Sequence, residues 1–342
     1  MLSVASAGLQ ANTSNIPSAF SVYNKDFLNI LGSAPRLELL VENHDYPFAH
    51  EASVYIPSED ALFMSSNIFT DPVTNESTIQ VSRVNVSAHP ATAEIINTTI
   101  PMANGGVNHA GGILWCGQGT LNQSGGLYQM SAQAPYKTER LASGYHRRPF
   151  NSINDVVVAR DGAFWFTDPI YGSLQGIRPA PKLPNHVYRY DPATQDIRVV
   201  ADGLGRPNGI SFSPDEQTLY ITDTAETVGD GTEDVLRPAT IYAFDVTTIH
   251  GQPFLTNRRV FAMPGDGIPD GIKVDQDGNV YAGCKDGVNV WSPGGVLLGK
   301  ILIEDGTSNF SFGQNGTMFI LNENKLWKAR LNHSVHGTLL TN

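Results

Sequence analysis

One pattern recurs along the chain and leaves few folds open to it. In "GLGRPNGISFSPDEQTLYITDT" (203–224) an Asn-Gly pair stands before a short alternating strand, a polar turn and a second strand rich in β-branched and aromatic residues. That is the signature of a β-hairpin. The same unit returns as "NDVVVARDGAFWFTD" from Asn154, "DGIKVDQDGNVYAGC" from Asp270 and "NFSFGQNGTMFILN" from Asn309. Two weaker copies lie upstream, "EASVYIPSEDALFMSS" from Glu51 and "NGGVNHAGGILWCGQG" from Asn104. The period is roughly 50 residues, and further strand pairs such as "HVYRYD" and "IRVVAD" lie between the copies.

Six four-stranded units in series predict an all-β fold, a six-bladed β-propeller. No long helical periodicity is present to support βαβ units. The last unit supplies only three strands (309–313, 317–321 and 325–331), so "RLELLVE" (36–42) is expected to close the ring as its fourth, hiding two sheet edges. The domain reading is an irregular lead-in over 1–35, one propeller over 36–335 and a tail over 336–342.

In a propeller the first strand of each blade lines the central channel, and equivalent positions converge on its axis. Those positions hold Glu51, Asn104, Asn154, Asn208, Asp270 and Asn309. All six carry a side-chain oxygen and two are acids, which is the ligand chemistry of a hard dication such as Ca2+. A single Asn-Gly is an ordinary turn; its recurrence at one repeat position is what points to a ligand ring. Asp168 and Asp223 end the second strands of blades 3 and 4 and are placed to hydrogen-bond the ring asparagines. The loops entering the inner strands form the mouth and bring His44, His50, His146, Arg148 and Tyr171 toward the axis. His109 sits in a hairpin turn at the far end.

Composition removes other classes. With 22 Lys+Arg against 33 Asp+Glu the formal charge is −11, and no basic run offers a nucleic-acid surface. No apolar run approaches the roughly 18 residues of a membrane span. Cys116 and Cys284 fall on opposite blades and are expected to be unbonded. The opening "MLSVASAGLQA" has the small residues of a signal-peptide cleavage region without the basic and apolar parts before it. Sequons stand at Asn12, Asn75, Asn85, Asn97, Asn122, Asn309, Asn315 and Asn332, either the mark of a secreted glycoprotein or chance in an Asn- and Thr-rich chain. Asn309 should be buried.

The stretches "NDVVVARDGAFWFTDPIYG", "GRPNGISFSPDEQTLYITDT" and "PDGIKVDQDGNVYAGC" resemble the gluconolactonase / senescence-marker-protein / luciferin-regenerating family. With "HEASVY" and "LPNHVYRYDP" the chain is most similar to the fungal lactonohydrolases, over roughly residues 20–331. The resemblance implies one divalent metal, usually calcium, on Glu51, Asn154, Asn208 and Asp270, with zinc, magnesium or manganese in some relatives. It implies hydrolysis of a small aldonolactone- or pantolactone-like cyclic ester by metal-activated water. Asp270 is the candidate to orient or deprotonate that water, with His50 or His146 as the alternative base. Asn104, Ser152, Tyr171, Asn309 and Arg148 are the candidate substrate contacts. Ser152 stands where the sugar-lactone hydrolases carry an arginine, a departure that bears on substrate preference. Two rival readings are a metal-independent synthase of the strictosidine-synthase kind and a non-enzymatic binding propeller. No G-x-S-x-G elbow is present for an acyl-enzyme route.

Overall fold

The computed structural model describes residues 16–228 and 231–341. Six antiparallel sheets follow one another along the chain, each beginning at the channel and ending at the rim. Their inner strands are Glu51–Ile56, Ala103–His109, Val156–Val158, Pro207–Phe212, Ile272–Val274 and Phe310–Phe312. This is the six-bladed propeller that the repeat predicts. Arg36–Glu42 closes it, pairing antiparallel with Lys325–Arg330 so that Leu37 faces Ala329.

Each sheet buries both faces against its neighbours, and the apolar core is therefore divided into six clusters, one per blade interface. The second strands show the consequence most clearly. Phe164–Asp168 of blade 3 is buried along its whole length. A strand covered on both sides needs apolar side chains at successive positions, unlike a half-buried strand that alternates. No helix among the described residues is long and apolar enough to cross a membrane.

Two segments differ from the sequence reading. The lead-in is not wholly irregular: Phe20–Val22 adds a fifth strand to the outer edge of blade 5, and Phe27–Leu31 is a short helix. Phe27 of that helix packs where a Cβ on Gly299 would otherwise stand, 2.1 Å from the ring. The C-terminal stretch is not a free tail. Gly337 bridges to Asp275, and Thr338–Thr341 forms a 3-10 turn across the lower mouth of the channel. Cys116 and Cys284 are buried and unbonded. Of the sequons, Asn12 and the opening stretch lie outside the described residues, Asn309 is fully buried, and Asn75, Asn85, Asn97, Asn122 and Asn315 are exposed.

Candidate active site

The upper end of the channel opens into a cavity of about 270 Å3 whose walls include Glu51, Asn104, Asn154, Asn208 and Asp270, together with His50 and Tyr171. Backbone latches between blades hold these residues there. The Thr167 hydroxyl of blade 3 donates to the Asn208 carbonyl of blade 4, and Thr222 of blade 4 donates to the Asp270 carbonyl of blade 5. Ser65 of blade 1 does the same for Asn104 of blade 2. The glycines after ring residues let the blades meet: a Cβ on Gly209 would stand 2.6 Å from the Asp270 carbonyl, and one on Gly271 2.5 Å from the Asn309 side chain.

The ring is not uniform. The Asn104 side-chain oxygen accepts from Gln118 at 3.2 Å. The Asn309 oxygen accepts from the Phe310 N–H at 2.9 Å, and its amide donates to Glu51 Oε2 at 2.8 Å. Both amide oxygens are therefore engaged. By contrast Asn154 Oδ1, Asn208 Oδ1 and Asp270 Oδ1 are buried with no hydrogen-bond partner. An orphaned buried acceptor costs about 1–3 kcal/mol, and three on one cavity wall ask for a ligand that supplies positive charge.

The electrostatics agree. Burial pushes the Glu51 carboxyl up, partly offset by His50, Asn309 and Lys273. Burial and then the Glu51 charge push Asp270 well above the ordinary carboxylate range. Beneath the ring the Lys273 ammonium lies 3.9 Å from Asp155 Oδ2. Glu51, Asp270 and Asp155 are three carboxyls around one ammonium, and their upward shifts show that each resists carrying its charge unaided; a bound cation would favour their ionised forms. Among the described residues no cluster of three or more His, Cys, Asp or Glu side chains gathers to hold a metal. The candidate set is two carboxylates and two amides, an oxygen shell suited to a hard cation. The residues fit the group.

Comparison with known proteins places this arrangement. A model described as the SMP-30/Gluconolactonase/LRE-like region matches residues 85–323. The chain belongs to this family. It is 28% identical to lactonohydrolase oryL of Aspergillus oryzae over 334 residues, covering 89% of this chain and 73% of that protein. It is 32% identical to the gluconolactonase of Zymomonas mobilis over 199 residues, 56% of this chain and 53% of that one. Among solved structures, the gluconolactonase XC5397 of Xanthomonas campestris superposes with a TM-score of 0.72 at 30% identity, covering 91% and 94% of the two chains.

Other expected site residues of this family member fall elsewhere. His146 and Arg148 do not reach the axis. Gly144–Tyr145 and Arg148–Pro149 form a small ribbon whose two turn residues, His146 and Arg147, have positive φ, and the turn stands out in solvent. His146 packs against Tyr145 instead. Ser152 is buried outside the cavity wall, donating to the Pro169 carbonyl at 2.7 Å and accepting from the Gly172 N–H at 2.9 Å. Asn309 lies behind Glu51, as a support rather than a cavity-lining contact. Asp168 and Asp223 do not hydrogen-bond the ring amides. Asp168 accepts from the Asn151 and Ser152 N–H groups, and Asp223 from those of Gly205 and Arg206. Each fixes the loop just before its asparagine. Burial pushes Asp168 up to about 7 against those two donors and Arg178. Tyr171 does line the cavity, with its hydroxyl bonded to Thr224.

The sequence reading missed Gln118, Asn67 and Glu323. His50 Nδ1 lies 2.6 Å from Glu323 Oε1, and Asn67 donates to Glu323 Oε2 at 3.2 Å. Burial lowers His50, but the charge and hydrogen bond of Glu323, together with the Glu51 and Asp270 carboxylates, raise the imidazole to about 9. These three residues sit on second strands and turns that vary from blade to blade, so the repeat carried no signal for them.

Proposed function

We propose that the protein is a divalent-metal-dependent lactonase, with calcium as the metal and a small aldonolactone- or pantolactone-like ring as the substrate. The convergence of Glu51, Asn154, Asn208 and Asp270 on one cavity, three of them with orphaned oxygens, carries this reading. These four residues would hold the cation. When bound, a hard dication supplies Lewis acidity to the ester carbonyl and acidity to water.

The chain's own groups do the rest. Asp270, at the edge of the cavity, is the acceptor for a proton from the attacking water, and its carbonyl latch to Thr222 fixes where that carboxylate stands. His50 presents its imidazole on the adjoining wall. Asn104, locked by Gln118 and by its own donation to the Asn154 carbonyl at 3.1 Å, gives the opposite wall a fixed polar face. Tyr171 adds an aromatic surface beside it. The cavity of about 270 Å3 is smaller than the roughly 300–1,000 Å3 of sites for drug-sized ligands, which suits a single small ring. The relatives named above are a lactonohydrolase and gluconolactonases, which supports lactone-ester hydrolysis as the reaction.

The test is pH-stat hydrolysis of sugar lactones, pantolactone, dihydrocoumarin and simple aliphatic lactones before chelation, after it and with calcium restored. Turnover lost on chelation and recovered with calcium is the expected result. Activity on no lactone by protein that elemental analysis shows to contain a divalent metal would remove the substrate class. Activity in protein shown to be metal-free would remove the cation from the mechanism.

A further inference from the structure

Glu323 occupies a position that its backbone does not favour. It is the first residue of the two-residue turn joining Thr317–Asn322 to Lys325–Arg330 of blade 6, and its φ is +55°. Gly, Asn or Asp takes that conformation readily, whereas a longer side chain adopts it under strain. Strain of this kind persists where the surrounding structure uses the residue. Here the use is visible. The Glu323 carbonyl accepts from the Ala49 N–H at 2.8 Å, bridging blade 6 to the loop that enters blade 1. The carboxylate then spans two residues of the cavity wall, meeting His50 Nδ1 with one oxygen and the Asn67 amide with the other. The Ser308 hydroxyl donates to the His50 carbonyl and lies 3.3 Å from the same Nδ1, a longer approach than that of Glu323. Among the described residues none hydrogen-bonds His50 Nε2.

We infer that Glu323 is the positioning residue for His50: its carboxylate takes the Nδ1–H, fixes the ring plane and leaves Nε2 to meet the substrate. The two ring nitrogens of a histidine are distinguished by the bond one of them makes. A nucleophile-activating or proton-handling group oriented by a third group is a recurrent arrangement in hydrolases. Asn67 in turn holds the second carboxylate oxygen, so the unit runs Asn67, Glu323, His50, with Glu323 itself outside the cavity wall. The inference rests on the lactonase reading for the meaning of Nε2, but not for the Glu323–His50 geometry itself.

Two readouts test it. In 15N-histidine-labelled protein, the His50 Nδ1–H signal, assigned by its loss in His50→Gln, should be shifted downfield by its short bond. It should disappear in Glu323→Gly and return at a less shifted position in Glu323→Gln. In turnover, Glu323→Gly should lower kcat by about 10–100-fold, the range for losing an orienting partner, with KM within about threefold. Glu323→Gln should restore most of that loss. Glu323→Gly should cause no further loss in a His50→Gln background. Because glycine suits the turn, the melting temperature of Glu323→Gly should hold or rise, whereas a merely structural role predicts that it falls with activity. An Nδ1–H signal untouched by Glu323→Gly, or losses that multiply in the double variant, would overturn the inference. If the wild-type protein turns over no lactone, the proposed function fails while the NMR readout still decides whether Glu323 fixes the ring.

Discussion

The two ends of the channel are built from the same inner strands and have opposite characters. At the upper end Glu51, Asn104 and Asp270 face the cavity of about 270 Å3, in which Asn154, Asn208 and Asp270 carry unpaired oxygens. A few residues further along those strands Tyr55, Val107 and Val274 meet Phe312 and the C-terminal residues Leu339 and Leu340 around a residual space of about 20 Å3. Between the two stand Lys273 and Asp155. The difference teaches that the polar end depends on the dry one. A charge interacts more strongly where water cannot screen it from below, so the packed floor makes the carboxylates above it a stronger attractor for a cation.

The largest break in this comparison is Asp270→Ala. It removes an orphaned oxygen and the proposed proton acceptor, and turnover on every lactone should fall by about 10³-fold or more. In chelated protein the same change relieves the repulsion between Asp270 and Glu51, so the melting temperature of the metal-free variant should match or exceed that of metal-free wild type. Calcium at 100 times its Kd should stabilise wild type by about 2.7 kcal/mol and the variant by much less. A variant that still turns over lactone at the wild-type rate would take Asp270 out of the mechanism.

Lys273→Met attacks the middle of the channel. Removing one partner of a buried ion pair costs about 3–5 kcal/mol because the other charge is left unpaired, and here Asp155 would be left. The urea midpoint of metal-free protein should fall accordingly, and Asp155→Asn in the same chain should recover most of it. No recovery would mean that Lys273 acts through Asn309, 3.4 Å away, rather than through Asp155. Thr222→Val is milder. It removes the 2.8 Å donation to the Asp270 carbonyl and the 2.7 Å acceptance from the Gly209 N–H. Stability should fall by about 1–3 kcal/mol, and activity by about tenfold, through a shifted Asp270. Unchanged activity at that loss of stability would show that the latch serves the fold alone.

How far the sequence reached follows from what repeats. Rotation about one axis brings equivalent positions together, so six hairpin heads were enough to locate Glu51, Asn154, Asn208 and Asp270 at one cavity. The Thr-Asp pairs that end "FWFTD" and "LYITD" were also in plain sight. Their division of labour was not: Thr167 and Thr222 reach the next blade, while Asp168 and Asp223 turn back to their own incoming loops. That depends on the pleat, which sends successive side chains to opposite faces. Mouth loops obey no repeat, which is why His146 was placed at the axis and stands in a solvent-facing turn. Glu323 was illegible for the same reason, since nothing in "NENK" announces a partner in "AHEA".

The smallest effect on chemistry should come from the lower end. Truncation before Gly337 removes Leu339 and Leu340, which pack against four of the six interblade clusters while remaining partly exposed. A fully buried leucine contributes about 1.5–3 kcal/mol, so the loss for two half-covered ones should be about 2 kcal/mol in urea unfolding. Opening the floor also lets water approach Lys273 and Asp155, which weakens their mutual attraction and, through Asn309, the hold on Glu51. The four residues proposed to hold the cation are untouched, however, and their latches come from second strands rather than from the tail. Turnover with calcium in excess should therefore stay within about twofold of wild type, while the calcium concentration needed for half-maximal activity rises. If turnover collapsed at saturating calcium, the floor would be setting the geometry of the ring itself rather than the field around it.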